Sequence, residues 1–422
     1  MDTVRLRSII GGSAGNLVEW YDFYAYATLT IYFAPEFFPK GDSTAQLLSA
    51  AAIFAVGFLM RPIGAWMMGV YGDRHGRKAG LALSVGLMCA GSLLIAVAPT
   101  YATAGAAAPA ILVVARMMQG LSVGGEYGAS ATYLSEMATR DRRGFWSSFQ
   151  YVTLIAGQLS ALAVVLLLQA TLSEADLQAW GWRLPFALGA VLALGVFVLR
   201  RRLAETESFK AMPQDRPQST LGNLVRHHPR EFTLVAIITA GGSLTFYGYT
   251  TYMQKFLVNT AGFGRDTATQ VMTAALVVYM LAQPLFGHLA DRFGRKPMLI
   301  TFGVLGTLAT VPAYSFLATA RSSLAAFAVI VVLLLILSAY TSISALIKAE
   351  LFPAHIRTLG VALPYALGNA MFGGTAEYAA LWFKGAGVES VFYWYVSAMI
   401  FLALAAFLKL PETKRTSLIT ED

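Results

Sequence analysis

Apolar runs of about 20 residues recur along the whole chain, each long enough to cross a hydrocarbon core of roughly 30 Å, and short loops rich in Gly, Pro or charge separate them. About twelve such runs can be read. They cover 9–34, 46–71, 79–98, 107–137, 145–170, 182–200, 231–257, 268–290, 297–317, 323–350, 359–384 and 388–409. Composition agrees: 57 % of the 422 residues are hydrophobic and 13 % charged, against about a quarter charged in ordinary soluble chains. The predicted fold class is therefore an all-α polytopic membrane protein. The eight residues before the first run are too few, and the run too long, for a cleavable signal peptide. An even number of spans puts both termini on one side. Roughly 23 of the 31 Lys and Arg fall in the termini and loops of that side, among them Arg74, Arg77, Lys78, Arg140, Arg142 and Arg143. The positive-inside rule makes that side cytoplasmic. The net charge of +8 then argues topology and contact with anionic lipid rather than nucleic acid. The single cysteine, Cys89, lies in an apolar run, forms no intrachain disulfide, and reads as inert core.

The chain also repeats itself. GVYGDRHGRK at 69–78 follows the second run and GHLADRFGRK at 287–296 follows the eighth, so both loops carry DRxGRK. Glu136 precedes Arg143 by seven residues, as Glu350 precedes Arg357, and LAETE at 203–207 closes the first half much as LPETK at 410–414 closes the second. Three markers recurring at offsets of about 207 to 218 residues predict two parallel, pseudo-symmetric six-helix halves. The expected units are an N-terminal half, 1–200, a cytoplasmic linker, 201–230, and a C-terminal half, 231–422, ending in a short cytoplasmic tail. In such duplicated folds a substrate site at the interface of the halves is exposed alternately to either side.

A charge at the bilayer centre costs about 2.5–3.5 kcal/mol on translocon scales, so an intramembrane ion marks a functional site and needs a partner. Glu19 and Asp22 lie inside the first run, and with Tyr26 their spacing of three and four puts them on one helical face, bordered by Asn16. In the fourth run Arg116, Gln119, Glu126, Tyr127 and Ser130 fall within a sector of about 100°, a polar stripe facing inward. Arg61 lies twelve residues before Asp73, about 18 Å of helix, and so near mid-membrane. It either pairs structurally with Glu19 or Asp22, or grips a substrate carboxylate bidentately while Arg116 tends a proton site. The seventh run is polar towards its outer end, with Tyr247, Tyr249, Thr250, Thr251, Tyr252, Gln254 and Lys255; Lys255 meets a carboxylate or snorkels to the interface. Gln150, Gln158, Tyr340, Thr341, Ser342, Ser344 and Asn369 are uncharged contact candidates, which often serve as packing glue instead. Glu377 is a further proton-site candidate.

DRxGRK after the second and eighth runs, and RMMQG at 116–120, resemble the major facilitator superfamily. GNLVEWYDFY at 15–24, GFLMRPIG at 57–64 and GLSVGGEYGASATYLSE at 120–136 resemble its metabolite:proton symporter family. SFQYVTLIAGQ, TTYMQKFLVNTAG, YTSIS, KAELFPA and FGGTAEY resemble the members of that family that carry α-ketoglutarate. The resemblance implies a proton-coupled importer of a small dicarboxylate, α-ketoglutarate foremost, in the bacterial inner membrane. The alternatives it leaves are another organic anion or zwitterion (citrate, shikimate, a monocarboxylate, proline or betaine), or a membrane solute sensor that moves nothing. WYD resembles the GYD of proton-coupled sugar symporters, and implies an Asp22–Arg116 proton switch; the sequence departs from those relatives in adding a second acid, Glu19, and a second arginine, Arg61, while Glu126 and Glu377 are further proton-coupling candidates read from their place in the runs. The resemblance also implies a cytoplasmic gate of salt bridges: Asp73 with Arg74 and Arg77, Glu136 with Arg143, and their counterparts Asp291, Arg292, Arg295, Glu350 and Arg357. No cofactor is implied beyond co-transported protons, and a monomer is expected. The five His residues show no metal spacing, and no Walker loop is present, so neither enzyme chemistry nor ATP driving is expected.

Overall fold

The computed structural model describes residues 3–40, 43–213, 215 and 217–419; the other residues of the expected halves, linker and tail, 420–422 among them, lie outside the described residues. The described residues form helices and no strands. The long ones are α1 (Thr3–Phe37), α2 (Ser43–His75), α3 (Arg77–Val97), α4 (Ala107–Met137), α5 (Phe149–Thr171, entered through Arg143–Ser147) and α6 (Arg183–Arg201). After a linker with short helices at Glu207–Lys210 and Leu221–His227 come α7 (Pro229–Asn259), α8 (Arg265–Phe293), α9 (Arg295–Thr319), α10 (Ser323–Glu350), α11 (Arg357–Gly368, carried on by Asn369–Gly373 and Ala376–Gly385) and α12 (Ser390–Lys409). Among the described residues, nine helical spans are long and apolar enough to cross a membrane by length and composition; α1, α2 and α11 bring the long helices to the expected twelve.

α4 and α10 occupy the runs read from the sequence, 107–137 and 323–350, while α1 and α2 extend beyond theirs at both ends. The apolar run marks only the part facing hydrocarbon, whereas the backbone stays hydrogen-bonded into the flanking polar residues. The eleventh run departs from an unbroken helix: its middle widens into a π-turn over Asn369–Gly373, then breaks at Gly374 and Thr375. A second π-turn sits in α7 at Gly248–Tyr252.

Lipid offers no hydrophobic force to bring helices together, so close backbone contact has to supply dispersion. The α2–α4 seam does this with glycine. A Cβ on Gly124 would lie 2.0 Å from the Arg61 carbonyl oxygen, one on Gly120 2.3 Å from that of Gly57, and one on Gly64 2.2 Å from that of Leu121. This contact fixes the backbone of Arg61 directly against α4. The two halves meet where α2 and α4 pack on α11 and where α5 packs on α8.

Gly124→Ala is expected to wedge this seam open and cost about 1–3 kcal/mol, as overpacking does. A thermal melt of the purified protein against wild type checks it, an unchanged midpoint being the contrary result.

Candidate functional site

Four side chains of α1, Asn16, Glu19, Asp22 and Tyr26, point into the first half and are buried. Glu19 accepts from the Ser122 hydroxyl at 2.7 Å and from Ser84 at 3.4 Å. Asp22 accepts from the Ser92 hydroxyl and from Gln119 Nε2 at 3.1 Å, while its Oδ1 has no hydrogen-bond partner among the described residues. Arg116 Nη1 donates to Gln119 Oε1 at 2.7 Å, and its guanidinium lies 4.3 Å from the Tyr26 ring centroid. Gln119 therefore links the carboxylate to the guanidinium, donating to one and accepting from the other. The Tyr26 hydroxyl donates to the Ala50 carbonyl at 3.2 Å.

Arg61 lies over Phe58 at 3.9 Å and Phe23 at 5.1 Å, and two small cavities meet at it. One, of about 20 Å³, is lined by Asn16, Glu19, Trp20, Arg61, Tyr127, Tyr365 and Asn369. The other, of about 10 Å³, is lined by Glu19, Asp22, Arg61, Arg116 and Gln119. Each holds about one water, so the two acids and two arginines sit in a closed chamber.

Glu126 does not join that cluster. The last turn of α6 folds Arg200 back on it: Nη1 donates to Glu126 Oε2 at 2.8 Å, Nη2 pairs with Oε1, and the guanidinium also reaches the carbonyls of Gly11, Gly12 and Leu81. Both side chains are fully buried, which makes the pair a clasp between α1, α3, α4 and α6. Gln150 is likewise a stitch, accepting from Ser130 at 2.9 Å through its side chain and from Asn16 at 2.6 Å through its carbonyl.

The second-half candidates divide. Asn369 lines the central cavity, and Tyr247 and Ser342 are buried with hydroxyls that find no hydrogen-bond partner among the described residues. Tyr249 turns away from the chamber to bond Thr310 at 2.6 Å, and Tyr340 packs on Phe302 and Phe407. Gln158 and Gln254 line a separate cavity of about 120 Å³ with Tyr24, Thr250 and Thr251. Lys255 and Glu377 form an ion pair, 49 % and 35 % exposed, so neither charge enters the buried site. α7 and the broken α11 bring these two together at an exposed rim outside the buried site.

At the end of the bundle that carries both termini, charges lock the halves together. Asp73 accepts from the backbone N–H groups of Thr358 and Leu359, at 3.0 and 3.1 Å, in the first turn of α11. Asp291 accepts from those of Gly144 and Phe145, both at 2.8 Å, at the entry to α5. Each DRxGRK aspartate thus caps a helix of the opposite half, where free N–H groups and the helix dipole favour an anion. Arg77 holds Asp73 at 3.0 Å and Glu136 at 3.1 Å, and Arg295 holds Asp291 at 3.2 Å and Glu350 at 3.8 Å. Gly76 and Gly294 turn the motif with φ of +108° and +105°. Beyond each turn, Glu205 accepts from the backbone of Arg77 and Lys78, and Glu412 from that of Arg295 and Lys296.

Two gate expectations need correcting. Glu136 is held by Arg77 and, across the halves, by Arg357 at 2.6 Å rather than by Arg143; seven residues separate Glu136 from Arg143 through a turn that points them to different partners. Arg143 donates to the Ile419 carbonyl at 3.1 Å, and Arg357 also reaches that of Leu418 at 2.6 Å, so the tail lies in the gate. Arg74 and Arg292 are exposed and stay outside the network, Arg74 on the Ser219 carbonyl and Arg292 over the Phe293 ring.

Residues 9–219, and again 201–422, match the family described as sugar (and other) transporter. The chain belongs to that family, within the major facilitator superfamily. The transporter is 54 % identical over 404 residues to the alpha-ketoglutarate permease of Escherichia coli K12, covering 96 % of this chain and 92 % of that one. It is 33 % identical to the citrate-proton symporter of Klebsiella pneumoniae, over 88 % of this chain and 83 % of that one. It is 31 % identical to the proline/betaine transporter of E. coli K12, over 90 % and 78 %. Its fold matches the proton:xylose symporter XylE bound to 6-bromo-6-deoxy-D-glucose with a TM-score of 0.82 at 18 % identity, covering 99 % of this chain and 98 % of that one. A multi-pass membrane transporter, and not an enzyme, is what these relatives make it.

Several residues that build the transporter's chamber or pack near it are not singled out by the sequence. Ser84, Ser92 and Ser122, which satisfy the two acids, carry no signal among so many small residues. Arg200 hides at the edge of a run, where an arginine reads as topology. Lys348 does leave a signal, a lysine inside the apolar run 323–350.

Asp73→Ala removes one helix cap from the closed gate, worth about 0.5–2 kcal/mol, and is expected to raise the gate-open fraction about 2- to 30-fold. The check is the maleimide labelling rate of a Thr358→Cys reporter in a Cys89→Ser background, with equal rates in both proteins as the opposing outcome.

Proposed function

We propose that the transporter is a proton-coupled importer of a small dicarboxylate, α-ketoglutarate foremost, acting as a monomer in the bacterial cytoplasmic membrane with both termini inside. The observation that carries this reading is the closed chamber in which Glu19 and Asp22 face Arg61 and Arg116. Two carboxylates balance two guanidinium groups while the chamber is empty. An arriving dicarboxylate upsets that balance by two negative charges, and protons taken up at both Asp22 and Glu19 restore it. Protonation at Asp22 loosens the Gln119 link and releases Arg116, which together with Arg61 offers forked donors to a carboxylate. Anion and proton then favour each other's binding, which is the coupling a symporter requires.

The division at 1–200, 201–230 and 231–422 supplies the moving parts: two halves rocking about the chamber, with the charged lock at the terminal end as the cytoplasmic gate. Of the acids considered for coupling, Asp22 and Glu19 keep that role. Glu126 serves the Arg200 clasp, and Glu377 the rim pair with Lys255. Inward proton movement supplies about 2.3 kcal/mol per charge for each 100 mV of membrane potential. The relatives named for citrate and for proline/betaine support a second reading, in which the same chamber takes another organic anion or a zwitterion.

Proteoliposomes with an imposed inward proton gradient are expected to accumulate labelled α-ketoglutarate, and a protonophore to abolish the accumulation. Folded protein that moves citrate or betaine instead decides for the second reading, and protein that moves no solute removes transport coupling altogether. Asp22→Asn is expected to reduce gradient-driven accumulation to the level of empty liposomes while substrate exchange continues; full uptake by this variant would take Asp22 out of the coupling site. Arg116→Ala is expected to weaken substrate affinity about 10- to 150-fold, the range for a hydrogen bond to a charged group, as read by equilibrium binding.

A further inference from the structure

Among the described residues, the buried charged side chains of the second half are Asp291, Arg295, Lys348, Glu350 and Arg357. Four of them form the gate. Lys348 does not, although it stands two residues from Glu350 on α10. Its side chain runs back along the helix, as helical side chains do, and Nζ donates to the Ser344 hydroxyl at 2.9 Å and the Tyr127 hydroxyl at 3.0 Å. The rings of Tyr365, Tyr127 and Tyr340 surround it at 4.6, 5.0 and 5.9 Å. No carboxylate pairs with it among the described residues, and it is fully buried. Two hydroxyls and three aromatic faces offset part of the desolvation of an ammonium, but an ion without a counter-ion remains costly in such a place.

Its surroundings say what that cost is for. Tyr127 of α4 and Tyr365 of α11 stack face to face, centroids 3.4 Å apart and planes 6° from parallel, one ring from each half. On one side the two rings line the cavity that holds Arg61, Glu19 and Asn16. On the other they hold Lys348. The stack is a septum between the first half's arginines and the second half's cation, with one ring supplied by each half. We propose that Lys348 is a substrate ligand, taking one carboxylate of a dicarboxylate whose other carboxylate is held on the Arg61 side, so that the dianion bridges the two halves. This rests on the dicarboxylate reading above, and adds to it the residue that distinguishes two carboxylates from one.

The test uses purified full-length protein and two probes of equal chain length, α-ketoglutarate and 2-oxopentanoate, which lacks the distal carboxylate. Binding is read by titration calorimetry and stability by thermal melting. Wild type is expected to prefer α-ketoglutarate. Lys348→Met is expected to weaken α-ketoglutarate about 10- to 150-fold, the range for a lost charged hydrogen bond, and to shift 2-oxopentanoate by less than about threefold. The substrate-free variant should melt at or above wild type, because an uncompensated buried charge has gone. Lys348→Arg should keep the preference for the dicarboxylate.

Unchanged α-ketoglutarate binding by Lys348→Met overturns the proposal, as does equal weakening of both probes. A variant that fails to fold, or melts below wild type, overturns it too, since the lysine is then structural. Wild-type protein that binds neither probe overturns the functional reading and this inference together, so the wild-type arm reports on the first and the variant arm on Lys348 alone.

Discussion

An ion in hydrocarbon is tolerated only where something offsets its lost hydration, and this transporter depends on that constraint throughout. The structure meets it in four ways. Glu126 and Arg200 form a fully buried pair tied to three carbonyls. The gate acids accept from arginines and from backbone N–H groups at helix starts. Glu19 and Asp22 are held by serine hydroxyls and Gln119 across a chamber shared with Arg61 and Arg116. Lys348 has, among the described residues, hydroxyls and rings and no carboxylate. The less complete the compensation, the more a site gains from an arriving counter-charge, so the two least compensated places are the ones assigned to proton and substrate.

Duplication turns a local motif into a lock. In each half the DRxGRK aspartate reaches across to cap a helix of the other, while its second arginine holds a glutamate of its own half on α4 or α10, and Arg77 also reaches across to the Ala354 carbonyl at 2.5 Å. Because an N-terminal cap needs the backbone itself to approach, the lock holds only when the halves are in contact. Separating them exposes N–H groups and carboxylates together, a cost that water at the membrane surface then repays.

The proposed gate and the chamber share helices. α4 carries Arg116, Gln119, Tyr127 and Glu136 over two-thirds of its length, and α11 carries Arg357, Tyr365 and Asn369. The same two helices thus carry two contacts between the halves, Glu136 with Arg357 at one end and Tyr127 stacked on Tyr365 beside the chamber.

Sequence alone determined what depends on composition and local period. The apolar runs placed the helices, because spanning hydrocarbon leaves a backbone no alternative to internal hydrogen bonding. The repeated motifs gave the two halves, and the spacing of Glu19, Asp22 and Tyr26 put them on one face, because three- and four-residue steps do so on any helix. Partnership was not legible in the same way. Nothing in the order of residues shows that Arg200 folds back on Glu126, that Glu136 prefers Arg357 to Arg143, that Lys255 and Glu377 meet at an exposed rim, or that Tyr249 faces α9. Those outcomes depend on which helices are neighbours and how each is rotated. Only the packed bundle decides that, because a buried charge takes the compensation within reach of its side chain, whatever its distance along the chain.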